Sequence, residues 1–127
     1  MKEPAAPIPT TLVTGPSASR REAAIAAALA GLTLHQNGAS AVILEGLPDG
    51  SPLLEPSSTL LMARIAPGCL CCAGNLVMRV TLNRLLRQRP VRLLIGVASS
   101  EHLDQLRSWL SSAPYDQLLV LTPDRHS

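Results

Sequence analysis

Short apolar runs rich in branched side chains alternate along the chain with longer segments in which apolar residues recur every three or four positions. The short runs predict five strands, at residues 8–14, 41–45, 59–65, 91–98 and 117–122. The longer segments predict three helices, at residues 19–35, 75–88 and 100–110. The spacing predicts core stripes on the last two of these helices, Met78, Leu82 and Leu85 on one and Leu103, Leu106 and Leu110 on the other. This alternation is typical of a single α/β domain with a mainly parallel five-stranded sheet and helices on both faces.

The connection between the second and third predicted strands differs from the others. Residues 46–58 contain three prolines, two glycines and three serines, which predicts an irregular loop. Parallel neighbours are usually joined by a helix, so an antiparallel third strand stays open as an alternative. We expect the folded domain to cover residues 8–123, between a flexible N-terminal arm at 1–7 and a C-terminal tail at 124–127.

Composition places the chain among globular proteins, with 46% apolar residues and a mean hydropathy of +0.23. The chain has no Phe, one Trp and one Tyr, so its core is aliphatic and it offers few rings for stacking on bases. Ten of its eleven basic residues are Arg, yet the net charge is only +2. These features predict no nucleic-acid partner.

No run of about 18 apolar residues occurs, which predicts no membrane span. Near the N-terminus, Lys2 and Glu3 are followed by prolines, where a signal peptide needs an apolar stretch. We therefore expect a cytoplasmic protein without membrane association.

The three cysteines, Cys69, Cys71 and Cys72, fall within four residues, a spacing too tight for a disulfide framework. Thiolates bind Zn²⁺ or Cu⁺, and three of them can supply three of four tetrahedral positions. Glycines and a proline flank the cysteines, so a turn there could bring the sulfurs together. The alternative interpretation is that they are small buried core residues.

A fourth metal ligand is not evident from the sequence. Glu45, at the end of the second predicted strand, and His102, in the first turn of the third helix, could both face the binding edge of the sheet. For each of them, a solvated side chain is the plainer interpretation. His35 is better explained as a cap at a helix end, and His126 lies in the predicted tail.

Four arginines lie between the C-terminal part of the second predicted helix and the start of the fourth predicted strand. They are Arg84, Arg87, Arg89 and Arg92. They could form a face for phosphate or nucleic acid. Cations at a helix C-terminus with solvated tips are the plainer interpretation, and we favour it.

Two segments carry a family resemblance. The residues Thr11-Leu12-Val13-Thr14-Gly15 and Gly68-Cys69-Leu70-Cys71-Cys72 resemble the phosphate-loop strand and the cysteine signature of the CobW-like branch of P-loop GTPases, which includes HypB and UreG. Asn75-Leu76 and the Leu-rich helix that follows are similar as well. The resemblance implies a P-loop NTPase fold, a GTP site at the loop and a metallochaperone role.

The phosphate loop departs from the family pattern Gly-x-x-x-x-Gly-Lys-Ser/Thr. Counted from Gly15, Arg20 stands in place of the second Gly, Arg21 in place of Lys, and Glu22 in place of the hydroxyl that binds Mg²⁺. Gly15, Arg20 and Arg21 are the remaining candidates for cofactor binding. The run from Ser19 to Glu22 is also a capping-box pattern. It predicts that the Ser19 hydroxyl and the Glu22 carboxylate accept the free backbone amides at the helix start, which a phosphate loop would offer to phosphate.

Two further parts of GTP recognition are missing. The fourth predicted strand continues into Gly96 without the carboxylate that the resemblance implies, and no Asn-Lys-x-Asp segment occurs in these 127 residues. We therefore predict no catalytic residue and no GTP binding in a protein that holds Zn²⁺ through its cysteines. Two alternatives stay open. One is an interaction module that binds a protein partner or forms a homo-oligomer, with cysteines that have no role of their own. The other is a GTPase that still binds nucleotide.

Overall fold

The computed structural model describes residues 7–32, 38–46, 54–65, 76–98, 100–112 and 114–126. All five predicted strands and three predicted helices are present, together with two short elements that the pattern did not predict. In chain order the elements are β1 (Ile8–Thr14), α1 (Ala18–Leu32), β2 (Ser40–Glu45), β3 (Leu60–Ile65), α2 (Leu76–Leu86), β4 (Arg92–Val97), α3 (Ser100–Leu110), α4 (Tyr115–Leu118), β5 (Leu119–Leu121) and β6 (Arg125–His126).

The strands form one sheet in the order β3-β2-β4-β1-β5, with β6 also paired to β1. Every named strand pair is parallel, which confirms the mainly parallel α/β prediction. The antiparallel alternative for the third strand is wrong, because β2 and β3 pair in parallel from Ser40 with Leu60 to Glu45 with Ile65. The sheet has six strands rather than five, since the two residues of β6 are too few to produce a period-two pattern.

Side chains alternate between two apolar cores, one on each face of the sheet. On one face, Val13, Val42 and Leu94 of the strands pack with Ile25 and Leu29 of α1. The other face packs strand residues against α2 and α3, including Leu12, Ala41, Ile43, Ile95, Met78, Leu82, Leu85, Leu103, Leu106 and Leu110. Helices therefore lie on both faces, and the predicted apolar stripes of α2 and α3 are the buried ones.

The C-terminal part of the chain differs most from its prediction. The run at 117–122 is divided between α4 and β5, and Tyr115 of α4 donates a hydrogen bond to Asn83 Oδ1 at 2.8 Å. The phenol of Tyr115 is protonated at neutral pH, as an ordinary tyrosine is, and burial raises its pKa further. In the predicted tail, Asp124 pairs with Arg107 of α3 and β6 follows directly, so the described residues of this segment are part of the fold.

The arginines of α2 and its C-terminal flank separate into two groups. Arg84, Arg87 and Arg89 are exposed, as predicted, whereas Arg92 opens β4 and is buried. Because Arg92 is buried, the interpretation of this residue as a solvated cation is wrong, and the same burial lowers its pKa. Within the part of the chain that the structure describes, no helix has the length and apolar character needed to cross a bilayer.

Candidate site at the carboxyl edge of the sheet

The carboxyl ends of β1, β2, β3 and β4 meet at one edge of the sheet because these strands run parallel. This edge is where ligands bind in open α/β sheets. Five charged or titratable side chains lie there and contact one another or the strand ends. We refer to them as the carboxyl-edge network, and its members are Arg21, Glu22, Glu45, Arg64 and His102.

Glu45, the last residue of β2, is the centre of this network. Its side chain is only 1% exposed. Oε1 accepts a hydrogen bond from the backbone amide of Ala98 at 2.7 Å, and Nδ1 of His102 lies 2.9 Å from Oε2. The carboxylate therefore joins the ends of β2 and β4 to the first turn of α3. The solvated interpretation of Glu45 and His102 is wrong, since a strand end in the middle of the sheet is covered by its neighbours.

Arg21 spans the ends of β1 and β2. It is buried, and its guanidinium donates from Nη1 to the carbonyl oxygen of Gly15 at 3.0 Å and from Nη2 to that of Glu45 at 3.4 Å. In a working phosphate loop the Lys at this position reaches the terminal phosphates. Here the guanidinium donates to two protein carbonyl oxygens.

Glu22 connects α1 to the outer strand β3. Its side chain is 2% exposed, and Oε1 accepts a hydrogen bond from Nη1 of Arg64 at 2.8 Å. Counted from Gly15, Glu22 stands where the family resemblance would place a Mg²⁺-binding hydroxyl, and the structure shows this carboxylate buried and paired. A carboxylate close to this helix start repels phosphate.

The cap of α1 lies two residues earlier than the sequence pattern indicated. The helix begins at Ala18, the carbonyl of Ser17 accepts the amide of Arg21 at 3.0 Å, and the hydroxyl of Ser17 accepts the amide of Arg20 at 3.1 Å. Ser17 is therefore the N-cap, and the prediction that gave this role to Ser19 is wrong. Both serines are good caps, so the sequence alone did not distinguish them.

Of the candidate cofactor residues, Gly15 and Arg21 are in contact, whereas Arg20 is exposed and supplies its backbone amide to the cap. Gly96, at the strand end where the family resemblance implies a carboxylate nearby, has little free space. A Cβ placed on Gly96 would lie 3.1 Å from Cδ2 of Leu44 and 3.4 Å from Cδ1 of Ile25. A side chain at this position would require the ends of the Leu44 and Ile25 side chains to shift by a few tenths of an ångström.

Cys69, Cys71, Cys72 and His35 lie outside the described residues. The described chain shows only where the cysteine segment connects, which is from Ile65 at the end of β3 to Leu76 at the start of α2. Among the residues that the structure describes, no group of three or more His, Cys, Asp or Glu side chains is arranged to hold a metal ion. The metal hypothesis therefore depends on the cysteines themselves.

Two members of this edge were missed by sequence reasoning. Arg64 pairs with a carboxylate 42 positions away, and His126 of β6 places Nδ1 2.6 Å from Oγ1 of Thr14. The signal that could have found Arg64 is its place near the end of a predicted strand, because such ends share one edge. No comparable signal marked His126, since β6 has no strand pattern.

Part of the chain is similar to a known protein. A stretch of 74 residues, 58% of the chain, is 39% identical to the zinc chaperone YeiR of Escherichia coli. The match spans 22% of that protein, so this chain corresponds to about a fifth of the relative's length. No protein-family model matches the chain, and no solved structure matches it.

Proposed function

We propose that this chain is a non-catalytic zinc-binding protein derived from a CobW-like GTPase domain, in which Cys69, Cys71 and Cys72 hold the metal. The observation that carries the proposal is the 39% identity to a zinc chaperone, in a chain that contains three closely spaced thiols. The parallel α/β sheet is consistent with a P-loop NTPase-like domain. A reducing cytoplasm, our proposed location, keeps such thiols available for metal.

The donor set fits zinc. Three thiolates are soft ligands that Zn²⁺ accepts in tetrahedral sites, and the fourth position can be taken by water or by a residue of a second chain. Glu45 and His102 are chemically suitable ligands, but they are already paired with each other. The cysteines are therefore the ligands that we assign.

The absence of GTP chemistry is supported by what occupies the start of α1. The two polar groups that would face phosphate and Mg²⁺ are engaged within the protein, Arg21 with carbonyls and Glu22 with Arg64. If a nucleotide replaced these internal contacts, the buried carboxylate of Glu22 would lie next to phosphate without its Arg64 partner. Such a buried, unpaired charge costs several kcal/mol, on the order of 3–5.

Zinc binding is tested with the reduced protein and the variant Cys69→Ser, Cys71→Ser, Cys72→Ser. We expect the unsubstituted protein to take up one Zn²⁺ per chain in native mass spectrometry, and the triple variant to take up none. Because thiolate ligands must lose their protons, bound zinc is expected to be released as the pH falls from 7 to about 5.

The matched control is the double variant His35→Asn, His126→Asn, which removes two of the three histidines and leaves the thiols. It should bind zinc as the unsubstituted protein does. Equal zinc uptake by the triple Ser variant, or no uptake of Zn²⁺, Co²⁺ or Cu⁺ by the reduced protein, would overturn the proposal and favour an interaction module.

Nucleotide binding is tested by titration of a fluorescent GTP analogue in the presence of Mg²⁺. We expect no saturable binding up to about 1 mM, because Arg21 and Glu22 are committed to protein partners. The informative comparison is the variant Arg20→Gly, Arg21→Lys, Glu22→Ser, which restores Gly-x-x-x-x-Gly-Lys-Ser from Gly15. Weak triphosphate binding by this variant alone would show that these three residues prevent it. Saturable binding by the unsubstituted protein contradicts the prediction.

A further inference from the structure

The outer strand β3 differs from the other long strands in how far it is covered. All residues of its neighbour β2 are buried, whereas five of the six residues of β3 are only half-buried. β3 pairs with β2 on one side, and no strand pairs with its other side in the part of the chain that the structure describes. A half-covered strand at the edge of a sheet is a template for a further strand.

The backbone groups at this edge can be assigned from the ladder. The amide of Ser40 donates to Thr59 at 2.9 Å and that of Gly46 to Ile65 at 2.8 Å, so the odd-numbered residues direct their backbone groups to β2. The even-numbered residues direct theirs outward. Those of Leu60 are taken by Ser57, in bonds of 3.0 and 3.3 Å, which leaves the N–H and C=O groups of Met62 and Arg64 at the open edge.

Two grooves flank this edge, one on each face. The groove on the α2 side has a volume of about 480 Å³, an apolar floor that includes Leu61 and Leu85, and a polar rim of Arg84 and Gln88. The groove on the other side, about 310 Å³, includes Leu54 and Met62. An added strand would send alternate side chains into each groove, because successive side chains point to opposite faces.

The charges around the edge select the partner. The charged residues that line the two grooves are Arg84 on the α2 side, the exposed Glu55 on the other side, and Arg64, which pairs with Glu22. Arg84, on the rim of the first groove, is exposed. A second copy of this chain would bring arginines against arginines, which disfavours pairing of β3 with itself. An acidic segment gains attraction at the same place.

We propose that the open edge of β3 binds an extended acidic segment of a partner protein as an added strand. Acidic side chains of the segment face Arg84 in the α2-side groove, and aliphatic side chains face Leu54 and Met62 on the other side. Main-chain hydrogen bonds to Met62 and Arg64 supply affinity, and the two grooves supply specificity. The argument uses none of the cysteines, so its test is independent of the test for zinc binding.

The probe is a fluorescein-labelled ten-residue peptide of alternating Glu and Val, compared with the same peptide carrying Lys in place of Glu. Fluorescence anisotropy should show that the Glu peptide binds the full chain at least about tenfold more tightly, with weakening as salt is added. Backbone amide shifts in NMR should be largest at Met62 and Arg64.

Three substitutions distinguish binding at the β3 edge from binding to positive charge anywhere on the protein. Arg84→Glu should weaken binding about tenfold or more, whereas Arg79→Glu makes the same charge change about 140° around α2 and should alter it by less than about twofold. Met62→Pro removes one outward N–H and should abolish binding while circular dichroism stays unchanged. Equal binding of both peptides, equal effects of the two charge reversals, or a dimer that Met62→Pro dissociates would overturn the proposal.

Discussion

Glu45→Ala is expected to destabilise the protein by about 3 kcal/mol, because the substitution removes a buried carboxylate that is the partner of two groups. The backbone amide of Ala98 loses its acceptor, and His102 loses its partner while it remains only 18% exposed. For a chain of this size the loss corresponds to a fall in Tm of roughly 12 °C. Urea unfolding followed by circular dichroism measures the change in free energy.

Two further variants show whether the contacts of the carboxylate are responsible. Glu45→Gln keeps an acceptor for the Ala98 amide and should cost about half as much. Glu55→Ala removes an exposed carboxylate and should change stability by less than about 0.5 kcal/mol. If Glu45→Ala unfolds at the same urea concentration as Glu55→Ala, the carboxyl-edge network does not hold the strand ends together.

Leu82→Ala is expected to cost about 3 kcal/mol by a different mechanism, the opening of a cavity beneath α2. Leu82 is 0% exposed and belongs to the core cluster that joins α2 to the sheet. The residue that replaces it has the highest helix propensity, so the loss comes from packing and not from the helix itself. Thermal and urea unfolding should both report it.

The matched control is Val80→Ala, two positions earlier on the same helix, where the side chain is 58% exposed. That change should be neutral or slightly stabilising, because Ala is the better helix former and little packing is lost. A cost for Val80→Ala equal to that of Leu82→Ala would mean that the outer face of α2 is covered in solution.

The fold could be predicted from the sequence because its signals are local. Alternating apolar runs and helical stripes placed five strands and three helices, and Leu103, Leu106 and Leu110 were assigned to the core from spacing alone. The same signals failed for β6 and α4, because elements of two to four residues are too short for a period to repeat.

The carboxyl edge was only partly predictable. Sequence counting placed Arg21 and Glu22 at the start of a helix after Gly15, and this is where the structure has them. The departure from the phosphate-loop pattern was therefore visible from residue types and spacing. How these two side chains are used was not visible, because Arg21 also contacts Glu45, 24 positions away, and Glu22 contacts Arg64, 42 positions away.

Only the tertiary structure decided those partners. Parallel pairing brings the ends of β2, β3 and β4 to one edge, and this places Glu45 beside Ala98 and His102, and Glu22 beside Arg64. A charged residue at a strand end is exposed to solvent if that strand lies at the edge of the sheet. The same residue is buried and paired if other strands lie on both sides of it. The sequence by itself determined the α/β class, the core stripes and the unusual helix start. The strand order decided burial and pairing, because those depend on distances between segments that no local pattern records.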